Sequence, residues 1–250
     1  MVALAIANQK GGVAKTNLTG NLGAELAAGG RRVVLVDVDP QATLTTWLLG
    51  RTSAPGTAEV LLGEEELPAV LHEVPAFGLT LVPAVPDRLR VAERALAAQV
   101  GSERNLAKAL RRLDFDIVLI DCPPSMGILT ASALVAATAG VVIPIAAAPE
   151  ALDGYVQVTA NLQRLRDALE LPLPVVAVVP TRFDQRLRIA RDVLDAARSL
   201  CNGALTSPIR ENVALRELFG HRQPIRTYRP DSTGAADYAA VAAEVLQRVH

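Results

Sequence analysis

Short apolar runs alternate with helical segments along this 250-residue chain, and no other feature restricts its fold as strongly. Runs such as 33–36 and 117–120 contain no polar side chain, which is typical of strands covered by helices on both faces. Strands are predicted at 2–7, 33–36, 79–82, 117–120, 141–145 and 174–179, with a short one near 205–208. Helices are predicted at 16–29, 91–112, 128–138, 151–169, 188–200, 213–219 and 234–248, with an irregular stretch at 51–76. The pattern predicts a three-layer α/β fold, a mostly parallel twisted sheet flanked by helices, in a single domain over residues 1–250.

Composition excludes several classes of protein. Half of the residues are apolar and a fifth are charged, so the chain is not intrinsically disordered. The net charge is −1, so any nucleic-acid site must be a local patch. The two cysteines, Cys122 and Cys201, form no C-x-x-C pair and predict neither a disulfide framework nor a zinc site. The first residues lack the basic segment of a secretory signal, and a cytoplasmic protein is therefore expected.

A stretch without charge, residues 122–149, is long enough to span a bilayer. Prolines and glycines interrupt it, among them Pro123, Gly127, Gly140 and Pro144. These interruptions favour a loop, a small-residue helix and a buried strand over a membrane span.

The segment 8–16 follows the first predicted strand and opens the first predicted helix. Only three of the 25 basic residues are lysines, and two of these, Lys10 and Lys15, lie in this segment. A turn at this place exposes backbone N–H groups and a helix N-terminus, both of which favour a phosphate group. Gly11 and Gly12 permit close approach of the backbone. The segment therefore predicts a phosphate-binding loop.

The side chains at the end of this segment suit a nucleotide. Lys15 can reach the β- and γ-phosphates, and the Thr16 hydroxyl can take a Mg²⁺ position. The match to the ordinary phosphate-loop pattern is imperfect, because Gln9 and Ala14 stand where that pattern has glycine. A glycine-rich turn with incidental lysines is the alternative interpretation.

Acidic residues follow the second and fourth predicted strands: Asp37 and Asp39 after one, Asp121 after the other. The carboxyl ends of parallel strands form the edge where open α/β sheets bind ligands. Mg²⁺ usually keeps several waters, and Asp121 suits the role of holding them. Asp39 is the better candidate for orienting an attacking water. Each acid alone is equally compatible with a turn or a helix cap, but three of them with the Lys15–Thr16 loop favour a nucleotide site.

Three segments resemble the deviant Walker A ATPases of the ParA/MinD family, and most closely the Soj-like chromosome- and plasmid-partitioning ParA proteins. These segments are KGGVAKT (10–16), VDVDPQ (36–41) and IDCPPS (120–125). The likeness extends nearly end to end, through PTRFD (180–184), NVALRE (212–217), PIRTY (224–228) and GAADY (234–238). The combination is highly specific, and it implies a P-loop NTPase fold.

The resemblance implies a role for each site residue, with ATP and Mg²⁺ as cofactors. In this family the extra lysine of the loop, here Lys10, reaches across a nucleotide-sandwich dimer to the partner's phosphates and stabilises charge in phosphoryl transfer. The implied catalytic residues are Lys10, Lys15 and Asp39, and the implied metal-site residues are Thr16, Asp39 and Asp121. The implied nucleotide contacts are Gly11, Gly12, Val13, Ala14, Lys15, Thr16, Asn17, Arg182 and Pro208.

Two positions depart from the family pattern. Ala14 replaces a glycine, which costs little in a right-handed helical backbone and more if φ is positive. Asn17 replaces a serine or threonine, and its amide can still donate to an α-phosphate. These departures bear on turnover more than on binding.

The resemblance also implies partners: an ATP-bound homodimer that binds DNA without sequence preference, a ParB-type protein that stimulates hydrolysis, and association with the nucleoid. From residue 181 onward the chain has 11 arginines and 8 acidic residues. The candidate DNA contacts are Arg186, Arg188, Arg191, Arg216 and Arg222. Interleaved acids such as Asp184 and Asp192 make a solvated, charge-paired face the alternative.

Two other functions remain open. A MinD-like membrane-surface ATPase needs a basic amphipathic C-terminal helix, whereas residues 239–250 are rich in small residues and contain one arginine. The departure at Ala14 keeps a nucleotide-locked scaffold with little turnover as a further alternative.

Overall fold

The structure, a computed structural model, describes residues 1–148 and 151–249. Its strands are β1 (Val2–Ile6), β2 (Val33–Asp37), β3 (His72–Val74), β4 (Leu79–Val82), β5 (Ile117–Asp121), β6 (Gly140–Ala146) and β7 (Val175–Thr181). They form one seven-stranded sheet in the order β3-β4-β2-β5-β1-β6-β7. Neighbouring strands are parallel except β3 and β4, which are antiparallel.

Helices cover both faces of this sheet. They are α1 (Lys15–Ala28), α2 (Thr43–Leu48), α3 (Thr57–Leu62), α4 (Pro86–Ala97), α5 (Asn105–Leu110), α6 (Ile128–Ala136), α7 (Ala151–Leu169), α8 (Arg188–Leu200), α9 (Val213–His221), α10 (Ile225–Tyr228) and α11 (Thr233–Arg248). Short 3₁₀ turns lie at Leu67–Val70, Pro75–Phe77 and Ser102–Arg104. None of the described helices combines the length and the apolar character that crossing a bilayer needs.

The sheet divides the buried apolar side chains into two cores. In β2, Val34 and Val36 enter the core formed with α3 to α8, while Val33 and Leu35 enter the core formed with α1, α2 and α9 to α11. Successive residues of a strand point to opposite faces, so an apolar run without a polar residue can be buried only between two layers of helices. The predicted three-layer α/β fold is confirmed.

Three local predictions differ from the structure. The helix predicted at 91–112 is divided into α4 and α5, because Gly101 adopts a left-handed backbone with φ of 80° that an α-helix does not accommodate. The stretch 51–76 contains α3 and β3. The strand predicted near 205–208 is reduced to an isolated bridge between Leu205 and Val178.

The strand order brings the predicted acids to the loop after β1. Because β5 lies between β1 and β2, its last residue, Asp121, is level with Ile6 on one side and with Asp37 on the other. The carboxyl ends of these three strands therefore form one site.

Candidate nucleotide site

The loop between β1 and α1 is held in shape by the side chain of Asn8. This amide donates to the Pro144 carbonyl at 2.7 Å, and its oxygen accepts from the Lys10 backbone N–H at 2.9 Å. Gly12 and Ala14 both have positive φ, 75° and 63°. The loop therefore turns twice through the left-handed region before α1 begins at Lys15, and the second turn is made by a residue with a Cβ.

The middle of the loop is open. A Cβ added at Gly11 or Gly12 would meet no atom of the described residues within 4 Å. The first residue of α1 follows this loop directly, and the dipole and unpaired N–H groups of a helix N-terminus favour an anion.

Lys15 is buried, and within the described residues its ammonium donates one long hydrogen bond, to the Lys10 carbonyl at 3.5 Å. Burial lowers the pKa of Lys15 from its usual value, and the nearby carboxylates of Asp121 and Asp39 oppose that change. A buried ammonium with one weak contact has unused donors, and phosphate oxygens fit them.

Asp121 connects the end of β5 to α1. Its two oxygens accept from the hydroxyls of Thr16 and Thr19 at 2.8 and 3.0 Å. Complete burial and the neighbouring Asp37 raise the pKa of Asp121 to about 8. A divalent cation beside these carboxylates would offset their repulsion.

The two acids after β2 have different surroundings. Asp37 is fully buried and accepts from the backbone N–H and the hydroxyl of Thr45 at 2.9 and 2.7 Å. Burial raises the pKa of Asp37 to about 6. Asp39, in contrast, lines the cavity beside the loop, and its carboxylate accepts from the Gln41 backbone N–H at 2.9 Å. Asp39 is thus the acid of this pair that faces the cavity.

The donor set fits magnesium held together with a nucleotide better than magnesium held by protein alone. No group of three or more His, Cys, Asp or Glu side chains in the described part of the chain forms a metal cage. A hydroxyl such as Thr16 with a carboxylate behind it needs phosphate oxygens and water to complete an octahedral shell.

A cavity of about 570 Å³ extends from the loop towards α9, a volume suited to a nucleotide. The predicted nucleotide and metal-site residues that line it are Gly11, Gly12, Ala14, Lys15, Thr16, Asn17, Asp39 and Arg182. Arg216, predicted to contact DNA, lines it as well. Lys10, Val13 and Pro208 are not among its lining residues in the described chain. Pro208 is half-buried and immediately precedes Ile209, which does line the cavity.

The far wall of the cavity is apolar, and none of its three apolar residues was named individually as a nucleotide contact. Ile209, Leu215 and Phe219 supply apolar surface there, and Phe219 also packs on Trp47 with ring centroids 4.8 Å apart. Leu215 lies in the family-like segment at 212–217, and Ile209 follows the predicted contact Pro208, whereas Phe219 had no signal in the sequence. An apolar wall opposite a phosphate loop suits a flat nucleobase.

Asn17 lies at the cavity, but its side chain has partners within the protein. Its amide donates to the Leu215 carbonyl at 3.1 Å, and its oxygen accepts from the Tyr238 hydroxyl at 2.6 Å and from Asn21 at 2.9 Å. This buried network fastens α1 to α9 and α11, a role that the sequence did not predict for Asn17.

The five arginines predicted to contact DNA are exposed, and three of them have acidic partners. Arg186 pairs with Asp184 at 2.9 Å, Arg188 lies 3.8 Å from Asp192, and Arg216 pairs with Glu211. Arg191 lies on α8. Arg222 follows α9, and its guanidinium lies over Gly50. The structure therefore places Arg186, Arg188 and Arg191 together near α8 and the other two near α9.

A parallel sheet, a lysine-threonine loop between β1 and α1, and carboxylates at the ends of neighbouring strands define a nucleotide-binding domain of the phosphate-loop class. A family model described as an AAA domain matches residues 1–175. The chain is 37% identical over 250 residues to the chromosome partitioning protein ParA of Myxococcus xanthus, covering 98% of this chain and 88% of that protein. It is 38% identical over 247 residues to the chromosome-partitioning ATPase Soj of Thermus thermophilus, covering 98% and 96%.

Solved structures are similar to this chain as well. Cobyrinic acid a,c-diamide synthase from Mycobacterium smegmatis, with a bound ATP analogue and magnesium, matches with a TM-score of 0.83 and 36% identity. The match covers 99% of this chain and 95% of that one. With these relatives, the chain belongs to the ParA/MinD family of partitioning ATPases, and its predicted resemblance is confirmed.

Proposed function

We propose that this chain is an ATP-dependent switch of a DNA-partitioning system. Its ATP-bound dimer binds DNA without sequence preference, and hydrolysis stimulated by a ParB-type partner releases it. The observation that carries the proposal is the loop with two lysines: Lys15 lines the nucleotide cavity, whereas Lys10 lies in the same loop outside that lining.

ATP and Mg²⁺ are the ligands that the site residues suit. Lys15 and the N–H groups of the loop bind the phosphates, and the Thr16 hydroxyl with Asp121 behind it holds the magnesium and its waters. Magnesium supplies neutralisation of the charge that develops on the phosphate oxygens. Ile209, Leu215 and Phe219 bind the base, with Arg182 at the edge of the cavity.

Hydrolysis requires a positioned water and added positive charge. Asp39 faces the cavity and orients the water. Lys10 of one subunit stabilises the transferring phosphoryl group of the other, as an arginine supplied in trans does in other nucleotide hydrolases. Turnover is then linked to dimerisation.

The DNA part of the proposal rests on the arginines near α8 and α9. Exposed guanidinium groups bind phosphates without reading sequence, so the affinity depends strongly on salt. Arg191 and Arg222 have no acidic partner among the described residues, and they are the most available of the five.

The packing of α11 supports DNA over a membrane surface as the target. Tyr238, Val241 and Val245 are at most 1% exposed, so they already pack on the protein. A membrane-binding amphipathic helix would present such side chains to lipid.

A titration of nonspecific duplex DNA by fluorescence anisotropy, with ATP, ADP or no nucleotide, tests the proposal. Binding is expected to be much tighter with ATP than with ADP or without nucleotide. Its affinity is expected to fall by about 40-fold between 50 and 200 mM salt if three phosphates are contacted. Liposome sedimentation beside it tests the membrane alternative. Sedimentation with ATP and no DNA binding at any salt would reject the DNA switch.

The nucleotide-locked scaffold is separated from the switch by turnover. Phosphate release is measured with DNA and a ParB-type protein from the same genome. Stimulation supports the switch, and tight ATP binding without phosphate release under any of these conditions supports the scaffold.

A further inference from the structure

We propose that Glu211 is an autoinhibitory residue that masks arginines which otherwise bind the phosphate backbone of DNA. This inference rests on the proposed function, because it concerns the regulation of the same DNA-binding surface. It comes from the contacts of one carboxylate that lies between two cavities.

The nucleotide cavity shares a wall with a second cleft of about 340 Å³. The shared residues are Arg210, Glu211 and Arg216. Arg186 lines the far side of the second cleft. We call this second space the arginine cleft, defined by Arg186, Arg210 and Arg216.

Each arginine of the cleft has an acidic partner, but the partners differ. Asp237 is buried and holds Arg210 through both oxygens at 2.6 to 3.1 Å, which makes that pair part of the folded framework. Among the described residues, the Asp184 carboxylate forms an ion pair with Arg186 alone, its close neighbour in sequence.

Glu211 contacts two arginines. One of its oxygens accepts from Nε of Arg216 at 2.8 Å and from Nη2 of the same guanidinium. The other lies 3.4 Å from Nε of Arg182. The side chains of Arg182 and Arg216 are 54% and 66% exposed, so both could reach an external phosphate if the acid did not hold them.

Half-exposed ion pairs of this kind add little to folding stability, and their main effect is on the local electrostatic potential. A carboxylate within hydrogen-bond distance of two guanidinium groups cancels part of their attraction for a polyanion. DNA must then compete with Glu211 for both of them.

Arg182 connects Glu211 to the nucleotide loop. Nη1 of Arg182 lies 3.4 Å from the Gly12 carbonyl, at the place where the open loop receives phosphate. A phosphate bound there competes with Glu211 for Arg182, so a bound nucleotide weakens one of the two contacts of the acid. Glu211 is expected to suppress DNA binding most strongly when the cavity is empty.

The test compares Glu211→Gln with Glu217→Gln. The control removes an equal charge six residues further along, on α9. The Glu217 side chain accepts from the Tyr228 hydroxyl and pairs with no arginine among the described residues. Without nucleotide, Glu211→Gln is expected to bind nonspecific duplex DNA about fivefold more tightly than Glu217→Gln at about 100 mM salt, with a salt slope steeper by about one. Adding Arg216→Ala to Glu211→Gln is expected to abolish most of that gain.

Retention on heparin, a polyanion, gives a readout that does not depend on the DNA-partitioning proposal. Glu211→Gln is expected to elute at higher salt than Glu217→Gln. Glu211→Asp, which keeps the charge but shortens the side chain by one methylene, is the second variant and is expected to lie between wild type and Glu211→Gln.

The outcomes separate the two proposals. Wild type that never binds DNA with ATP rejects the proposed function, and the heparin comparison still decides whether Glu211 masks the arginines. Equal behaviour of Glu211→Gln and Glu217→Gln on both DNA and heparin overturns the inference.

Discussion

Ala14 is the loop residue whose side chain suits its backbone conformation least. Its φ of 63° and ψ of 33° are left-handed, a conformation in which a Cβ costs roughly 1–2 kcal/mol. Ala14→Gly is therefore expected to raise the free energy of unfolding by about 1 kcal/mol, measured by urea denaturation.

The matched control for that change is Ala160→Gly, an exposed position in the right-handed interior of α7. There glycine is expected to lower stability by about 1 kcal/mol. Opposite signs for the two substitutions establish backbone strain at Ala14, whereas destabilisation by both contradicts it.

Substitutions of the two loop lysines are expected to have different effects. Lys15→Ala removes a buried ammonium from the phosphate site and is expected to weaken ATP binding by about 100-fold, or about 3 kcal/mol. Lys10→Ala is expected to spare binding and to lower stimulated hydrolysis by about 1,000-fold. Fluorescent-nucleotide titration and phosphate release measure the two effects.

Lys108→Ala, on α5, controls for the loss of a lysine away from the loop and is expected to change neither quantity. Equal loss of ATP binding in Lys10→Ala and Lys15→Ala would refute the division of roles.

Asp121 links the stability of the nucleotide-free protein to pH. The pKa of Asp121 in the folded protein, about 8, lies above the ordinary value of 3.8. The stability that its protonation adds is therefore fully present below about pH 4 and is lost as pH rises through 8. Asp121→Asn stays neutral, and its stability relative to wild type is expected to increase between pH 5.5 and 8.5 by about 2–3 kcal/mol. Urea denaturation without Mg²⁺ or nucleotide at both pH values measures this change.

Asp116→Asn serves as the comparison, because Arg32 holds the pKa of Asp116 at about 2. A depressed pKa makes its contribution change only in strongly acidic solution, so this variant is expected to show the same stability difference at pH 5.5 and 8.5. If the stability of Asp121→Asn relative to wild type is also the same at both pH values, the raised pKa of Asp121 is contradicted.

Among the elements, α1 and α11 are joined by a buried hydrogen bond between Asn17 and the Tyr238 hydroxyl. Tyr238→Phe removes the donor and leaves the ring in the core. The expected cost is about 1–2 kcal/mol in the free energy of unfolding, since a buried acceptor loses a partner. Tyr228→Phe removes a hydroxyl that bonds to Glu217 at the surface and is expected to cost less than about 0.5 kcal/mol. Equal costs would show that the buried hydrogen bond adds no more to the free energy of unfolding than the surface one.

The element boundaries show where local sequence signals suffice. The six long strand predictions and the helices α1, α7 and α8 depend on apolar periodicity within a few residues, and they are confirmed. The division between α4 and α5 was missed, because the helical pattern of the apolar residues continues across Gly101. Strand β3 was missed because its three residues gain their order from pairing with β4.

At the scale of the whole molecule, ATP is expected to convert a monomer into a dimer. The physical reason is that Lys10 has its proposed phosphate target in a second subunit, so the nucleotide completes the interface. Light scattering after size exclusion, with ATP or ADP and Mg²⁺, measures the mass. Lys15→Ala is expected to remain a monomer of 26.4 kDa in both, and a wild type that does the same contradicts the prediction.

The sequence by itself determined the parts of this protein that depend on neighbours along the chain. Charge-free apolar runs require two covering layers, and glycines with a lysine and a threonine between a strand and a helix specify a phosphate loop. The family resemblance extended this to the roles proposed for Lys10, Asp39 and Asp121, which stay predictions. The single-domain reading also stays a prediction.

Tertiary structure alone decided which distant residues meet. The strand order places Asp121 level with Asp37, and helix packing brings Tyr238 to Asn17 and Glu211 between Arg182 and Arg216. It also decided the left-handed backbone at Ala14. The physical reason is that these arrangements depend on which surfaces pack together across the whole chain, and periodicity within a short segment carries no information about that choice.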